Sequence, residues 1–227
     1  MQLVTAKVVY RSVIHCENFC EIFNIKSSEL VESCFIMSMV EEYFKRGNLY
    51  FKQRKYEKAI NEYTRALDID QNNFYLLYNM GVTCFELSQY TRAIEFYTRA
   101  LSINPSSIKL WNNLGAAYDE LGQRETAIEC YSKTIELNPE DDIAWYNLGV
   151  AYERRGESDK AVQSYQRIVE ITPHDENAWL FLGWAYGRMG YFRQEIECYE
   201  TVLMLNPNHQ RAKRDLELAQ KRTPLIF

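Results

Sequence analysis

Glycine returns at positions 47, 81, 115, 149 and 183, a spacing of 34 residues held without an insertion or deletion. No other feature of the 227-residue chain restricts its fold so strongly. A fixed period of roughly 20–50 residues marks one small unit of secondary structure copied along the chain, and such a unit cannot bury its apolar face alone. The copies must stack, each covering its neighbours, so the molecule grows as an array instead of closing around one central core.

With this glycine as position 8, five units run over 40–73, 74–107, 108–141, 142–175 and 176–209. Other columns then align. Position 4 is Tyr43, Leu77, Trp111, Trp145 and Trp179, and position 11 is Tyr50, Cys84, Tyr118, Tyr152 and Tyr186. Position 20 is Ala59, Ala93, Ala127 and Ala161, then Glu195. Position 24 is tyrosine throughout: Tyr63, Tyr97, Tyr131, Tyr165 and Tyr199. Position 32 is Gln71, then Pro105, Pro139, Pro173 and Pro207. Positions 4, 7, 8 and 11 have the i, i+3, i+4, i+7 spacing of one helical face. Gly122, Gly156 and Gly190, near position 15, end a first helix, and the prolines end a second. Small residues at 8 and 20 let the two helices approach closely, while aromatics at 4, 11 and 24 fill the space between pairs.

These columns, and the stretch "AWYNLGVAYERRGESDKAVQSYQ" in particular, resemble the tetratricopeptide repeat. The resemblance covers 40–209 and implies an all-α fold, a right-handed superhelical solenoid of five antiparallel helix pairs. A capping helix is expected over 210–222, where "QRAKRDLELAQKR" keeps Ala212, Leu216 and Ala219 apolar with charge elsewhere, and 223–227 is a tail. Two places depart from the pattern. Glu195 at a small-residue position predicts a last pair that is splayed or locally hydrated. Residues 1–39 fit the repeat in no frame and form an N-terminal extension, with a short helix expected over 28–39 leading into the array.

An α-helix turns about 100° per residue, so position 6 lies roughly opposite the 4/7/8/11 face. In a superhelix of helix pairs the first helices line the concave side, and position 6 projects into that groove. It carries Lys45, Asn79, Asn113, Asn147 and Phe181. Asparagine is a poor helix-interior residue, whereas its carboxamide offers a donor and an acceptor to a peptide backbone. The series is similar to the asparagine ladder in the repeat arm of O-linked N-acetylglucosamine transferase, which implies a grip on extended polypeptide. The alternative is an idle inheritance, because the repeat consensus itself often has asparagine here. The candidate groove residues are Asn48, Asn79, Asn113 and Asn147, with Lys45, Lys109, Tyr78 and Tyr146 beside them.

A second resemblance is to co-chaperone repeats that clamp a C-terminal carboxylate. Asn48, Asn79 and Lys109 match that pattern, while Phe44 and Asn113 stand where it wants cations, which weakens a clamp built on charge-assisted bonds. Charges near the groove are mixed, with Lys45, Lys52 and Lys109 against Glu86, Asp119, Glu120 and Glu153.

Composition narrows the function classes. The chain is 47% apolar and 25% charged, which argues against disorder, and a net charge of −5 offers no basic footprint for nucleic acid. No apolar segment approaches the roughly 20 residues that span a bilayer. Lys7 and Arg11 interrupt what would be a signal peptide, and six scattered cysteines suit a reducing compartment, so a cytoplasmic protein is expected. Cys130 and Cys198 share position 23 two repeats apart, too distant for a disulfide. His15, Cys16 and Cys20 lack a second ligand pair, so no metal site is expected. With no P-loop, dinucleotide turn or H-E-x-x-H, neither a cofactor nor an enzyme is expected.

The expected function is a protein-interaction scaffold or adaptor that binds an extended peptide or a helix in the concave groove. Rival readings are the carboxylate-clamp module, a repeat arm or subunit of an enzyme complex, and a structural subunit packing through its convex face. With the chain ending soon after its capping helix, the enzyme arm is the less favoured of these. No residue fixes an oligomeric state.

Overall fold

The computed structural model describes residues 27–222, with side chains from residue 35 onward. Residues 1–26 of the expected extension, including His15, Cys16 and Cys20, and the 223–227 tail lie outside the described residues. The described residues form eleven α-helices and no strand. They are α1 (Ser27–Lys52), α2 (Tyr56–Ile69), α3 (Phe74–Glu86), α4 (Tyr90–Ile103), α5 (Ile108–Glu120) and α6 (Arg124–Leu137), followed by α7 (Asp142–Arg155), α8 (Ser158–Ile171), α9 (Glu176–Arg188), α10 (Phe192–Leu205) and α11 (Gln210–Arg222).

The described residues divide into two compact units, one ending at Pro105 and the other beginning at Ser106. In the first, α1 packs on α2 and α3 on α4, and the two pairs meet through α2 and α3. In the second, α5 packs on α6, α7 on α8 and α9 on α10, and α11 covers α10. Connections of a few residues between packed neighbours make each pair antiparallel.

Local chemistry sets the helix ends. Asn73 accepts a hydrogen bond at Oδ1 from Leu76 N at 3.2 Å, and Asp141 does the same for Ala144 N at 2.8 Å, so both cap the helices that follow them. The turn inside each pair needs a left-handed residue at position 15. Glycine supplies it at Gly122, Gly156 and Gly190, with φ between 74° and 82°. Arg54 and Ser88 adopt it in the first unit at φ 57° and 58°, a strain of about 1–2 kcal/mol each for a residue with a Cβ.

Each pair closes on the same contact. The position-24 tyrosines are 1–2% exposed, and their rings press against the position-8 glycines. A Cβ on Gly81 would fall 2.4 Å from Cε1 of Tyr97, and the other four glycines face their own tyrosines in the same way. Ala59, Ala93, Ala127 and Ala161 are fully buried beside them. Burying each such ring is worth roughly 2–3 kcal/mol, so glycine, alanine and tyrosine act as one packing unit. Trp145 and Trp179 sit higher, each donating its indole N–H at 2.9 Å to the carbonyl of the preceding loop proline, Pro139 and Pro173. Ala212 and Ala219 of α11 are buried against Tyr199 and Val202, which closes the apolar end of the second unit.

One element differs from the sequence expectation. The short helix expected over 28–39 is not separate: α1 runs unbroken from Ser27 to Lys52. Neither glycine nor proline interrupts "FIMSMV", and its Ser38 lies within the continuous helix, so nothing stops the helix at the start of the first repeat.

Candidate functional site

The position-6 asparagines lie half-buried on the first helices of their pairs: Asn79 on α3, Asn113 on α5 and Asn147 on α7. In the first unit Asn79 donates through Nδ2 to Oδ1 of Asn48 at 3.1 Å. The same Asn48 oxygen takes the Tyr63 hydroxyl at 2.7 Å. In the second unit Asn147 donates through Nδ2 to Oδ1 of Asn112 at 3.3 Å. Each of these two amides therefore spends one N–H on the preceding helix pair, which fixes its rotamer. The side-chain Oδ1 atoms of Asn79 and Asn147 accept no hydrogen bond from the described residues.

The remaining candidates are dispersed. Lys45 is exposed and ion-paired with Glu41 one turn earlier, so its charge is partly spent. Lys109 is exposed on α5, in the second unit. Phe44, which stands where a clamp wants lysine, packs with its ring centroid 6.1 Å from that of Tyr63. Tyr78 is half-buried on α3. Tyr146 is half-buried, with its ring 4.7 Å from Phe181 and 6.4 Å from Tyr165.

A second periodic feature runs along the first helices of the second unit, and column-by-column reading did not find it. Arg154, Arg188 and Arg222 recur every 34 residues, each facing a carboxylate of the preceding pair. Arg154 is ion-paired with Asp119. Glu153 is 7% exposed, and its burial raises its carboxyl pKa while the Arg188 charge pulls it back. Arg222 donates at 2.6 Å to Oε1 of Glu195, which is 2% exposed and is likewise raised by burial and lowered by the arginine. Asp119 and Glu153 are both at position 12. In the last pair position 12 is Gly187, and the Glu195 carboxylate occupies the space that a side chain there would take. A Cβ on Gly187 would lie 2.5 Å from Oε1 of Glu195.

Of the two outcomes expected from Glu195, a splayed or a locally hydrated last pair, this arrangement corrects the first, while Oε2 of Glu195 stays buried with no hydrogen-bond partner among the described residues. The pair is closed, because Gly187 makes room and Arg222 supplies the counter-charge. The signal was present as a 34-residue arginine column, but it pairs with a carboxylate from a different column and a different repeat.

Cys84, Cys130 and Cys198 are buried free thiols. Burial pushes Cys130 and Cys198 up to about 12, which leaves them as unreactive core residues. No helix among the described residues is long and apolar enough to cross a membrane.

Helix pairs closed by a Gly–Ala–Tyr contact, with polar side chains repeating along the first helices, define a helical-repeat protein. Tetratricopeptide repeat profiles match residues 47–87, 74–107, 112–176 and 176–209. The chain belongs to the tetratricopeptide repeat family. No curated protein matches it in sequence. Among solved structures, MamA is similar with a TM-score of 0.70 at 25% identity, over 76% of this chain and 94% of that one. MamA from Desulfovibrio magneticus also reaches 0.70, at 21% identity, over 76% of this chain and 97% of that one. YrrB, described as a tetratricopeptide protein with an unusual peptide-binding site, reaches 0.66 at 22% identity, over 80% and 97%. The fold is the all-α helix-pair solenoid of that family, whose members are in general protein-interaction scaffolds.

Proposed function

We propose that the protein is a non-catalytic scaffold that holds an extended peptide or a helix against the face its first helices present. The observation that carries this reading is the state of Asn79 and Asn147. One N–H of each is tied to the neighbouring pair, so the amide is held in place before a ligand arrives. The second N–H and the carbonyl are left for a partner backbone, and preorganised groups of this kind lower the entropy cost of binding. Asn113 occupies the same column. Tyr78, Tyr146 and the lysines Lys45 and Lys109 then read partner side chains. The clamp alternative draws less support, since Asn48 Oδ1 already accepts two internal donors and Phe44 is packed on Tyr63.

The test is a selection of short random peptides displayed on phage against the full chain. Captured peptides should bind the Asn79→Ala/Asn113→Ala/Asn147→Ala variant much more weakly than the parent. Peptides that bind both proteins equally would move the binding surface elsewhere.

A further inference from the structure

The second unit contains a cleft of about 310 Å³ at the N-terminal ends of α7 and α9. Its floor is apolar and aromatic: Tyr146, Ile168 and Phe181, with Ile143 at the rim, 62% exposed. Its mouth carries two carboxylates, Asp142 at the first residue of α7 and Asp175 at the cap of α9. Oδ1 of Asp142 accepts from Ile143 N and Oδ1 of Asp175 from Asn177 N, both at 2.9 Å. Neither carboxylate is in an ion pair among the described residues.

Two unpaired carboxylates above an aromatic floor set the chemistry of the occupant. An anion is repelled. A wholly apolar plug would strip water from both carboxylates without replacing its hydrogen bonds. A side chain with an aliphatic stem and a cationic head satisfies both layers. Its stem lies along Tyr146 and Phe181, whose ring faces attract the cation, and its head reaches the carboxylates. The two helix N-termini oppose a cation with roughly half a charge each, which two full negative charges outweigh. We infer that this cleft takes a lysine or arginine side chain of the bound segment, so the preferred partner is a peptide with a basic residue.

The first unit shows the contrast. Its own cleft, about 660 Å³ and lined by Met37, Val40, Phe44 and Tyr75, also carries two acids, Glu41 and Asp70. There Glu41 is engaged by Lys45, and Asp70 accepts from Asn73 Nδ2 at 2.9 Å. One of its two acids is thus already met by a lysine of the chain, whereas both acids of the second cleft meet no cation among the described residues, so the basic-residue site is assigned to the second unit.

The inference rests on the peptide-binding reading, and its test separates the two. Peptides selected from the same phage library against the full chain are the probes. Lysine or arginine should be enriched, and replacing that residue by uncharged norleucine should weaken binding to the parent protein about tenfold. The Asp142→Asn/Asp175→Asn variant keeps a capping side chain at 175. It should bind the basic peptide as weakly as the parent binds the norleucine peptide, and the norleucine peptide no worse than the parent does. Peptides that show no basic preference, or that lose equally on both proteins, overturn the inference. If such peptides still lose affinity for the triple asparagine variant, peptide binding stands and only the basic pocket falls. If no peptide is selected, or if the captured ones are indifferent to both sets of replacements, both readings fall.

Discussion

Glu195 and Gly187 should be energetically coupled, and a double-mutant cycle measures by how much. Glu195→Ala restores the column consensus, yet it removes the buried acceptor of Arg222 and opens the space beside Gly187. Breaking a buried ion pair costs up to about 3–5 kcal/mol when both partners are sequestered. Arg222 keeps 46% of its side chain exposed and regains water, so the loss should be nearer 1–2 kcal/mol. Gly187→Ala alone places a methyl 2.5 Å from Oε1 of Glu195. Overpacking of this kind costs about 1–3 kcal/mol, against roughly 1 kcal/mol gained in helix propensity, for a net loss of about 1 kcal/mol. In the Glu195→Ala background the obstruction is gone, and the same change should stabilise by about 1 kcal/mol. The expected coupling is thus about 2 kcal/mol, read from urea denaturation of the four proteins with slopes compared to check cooperativity. Additivity within about 0.5 kcal/mol would refute the claim that Glu195 fills the position-12 space.

Two further outcomes follow from the same geometry. Burial raises the carboxyl pKa of Glu153, so its contribution to stability is fully present below its unfolded value, about 4.3, and is lost as pH rises through the folded value. Glu153→Gln should therefore gain on the parent in denaturation midpoints as pH rises above the unfolded carboxyl value, and a difference constant with pH would contradict this. Ser88→Gly should stabilise the first unit by about 0.5–1 kcal/mol, because it relieves the left-handed backbone at φ 58°; a loss in thermal midpoint would show that Ser88 is held there for another reason.

The repeat made much of the fold legible. The Gly–Ala–Tyr columns announced their packing because each residue has the same partner in every pair. Gly122, Gly156 and Gly190 marked their turns for the reason that a left-handed residue favours glycine. The same turns at Arg54 and Ser88 were invisible, since neither residue type signals a left-handed backbone. The repeat frame begins inside α1 and so does not mark where that helix starts or stops; "FIMSMV" holds neither glycine nor proline, and Ser38 sits inside the helix without breaking it. Glu195 was misjudged for a related reason. Its compensations, Gly187 and Arg222, stand in other columns, and Arg222 lies beyond the last full repeat. The asparagine column could be seen, but its internal bonds could not. Asn79 reaches a position-9 partner and Asn147 a position-5 partner, so no single spacing predicts them.

The central claim is that the asparagine column grips a polypeptide backbone, and calorimetric titration of captured peptides tests it most directly. Two peptides of unrelated sequence should be titrated into the parent and into Asn79→Ala, Asn113→Ala, Asn147→Ala and the triple variant. Each single replacement should keep the fold within about 1 kcal/mol, a lost internal bond being offset by better helix propensity. Each asparagine that meets the peptide should cost about 1–3 kcal/mol in affinity, and by a similar amount for both peptides, because backbone contacts do not depend on side-chain identity. Unchanged affinity in a folded triple variant would contradict the account.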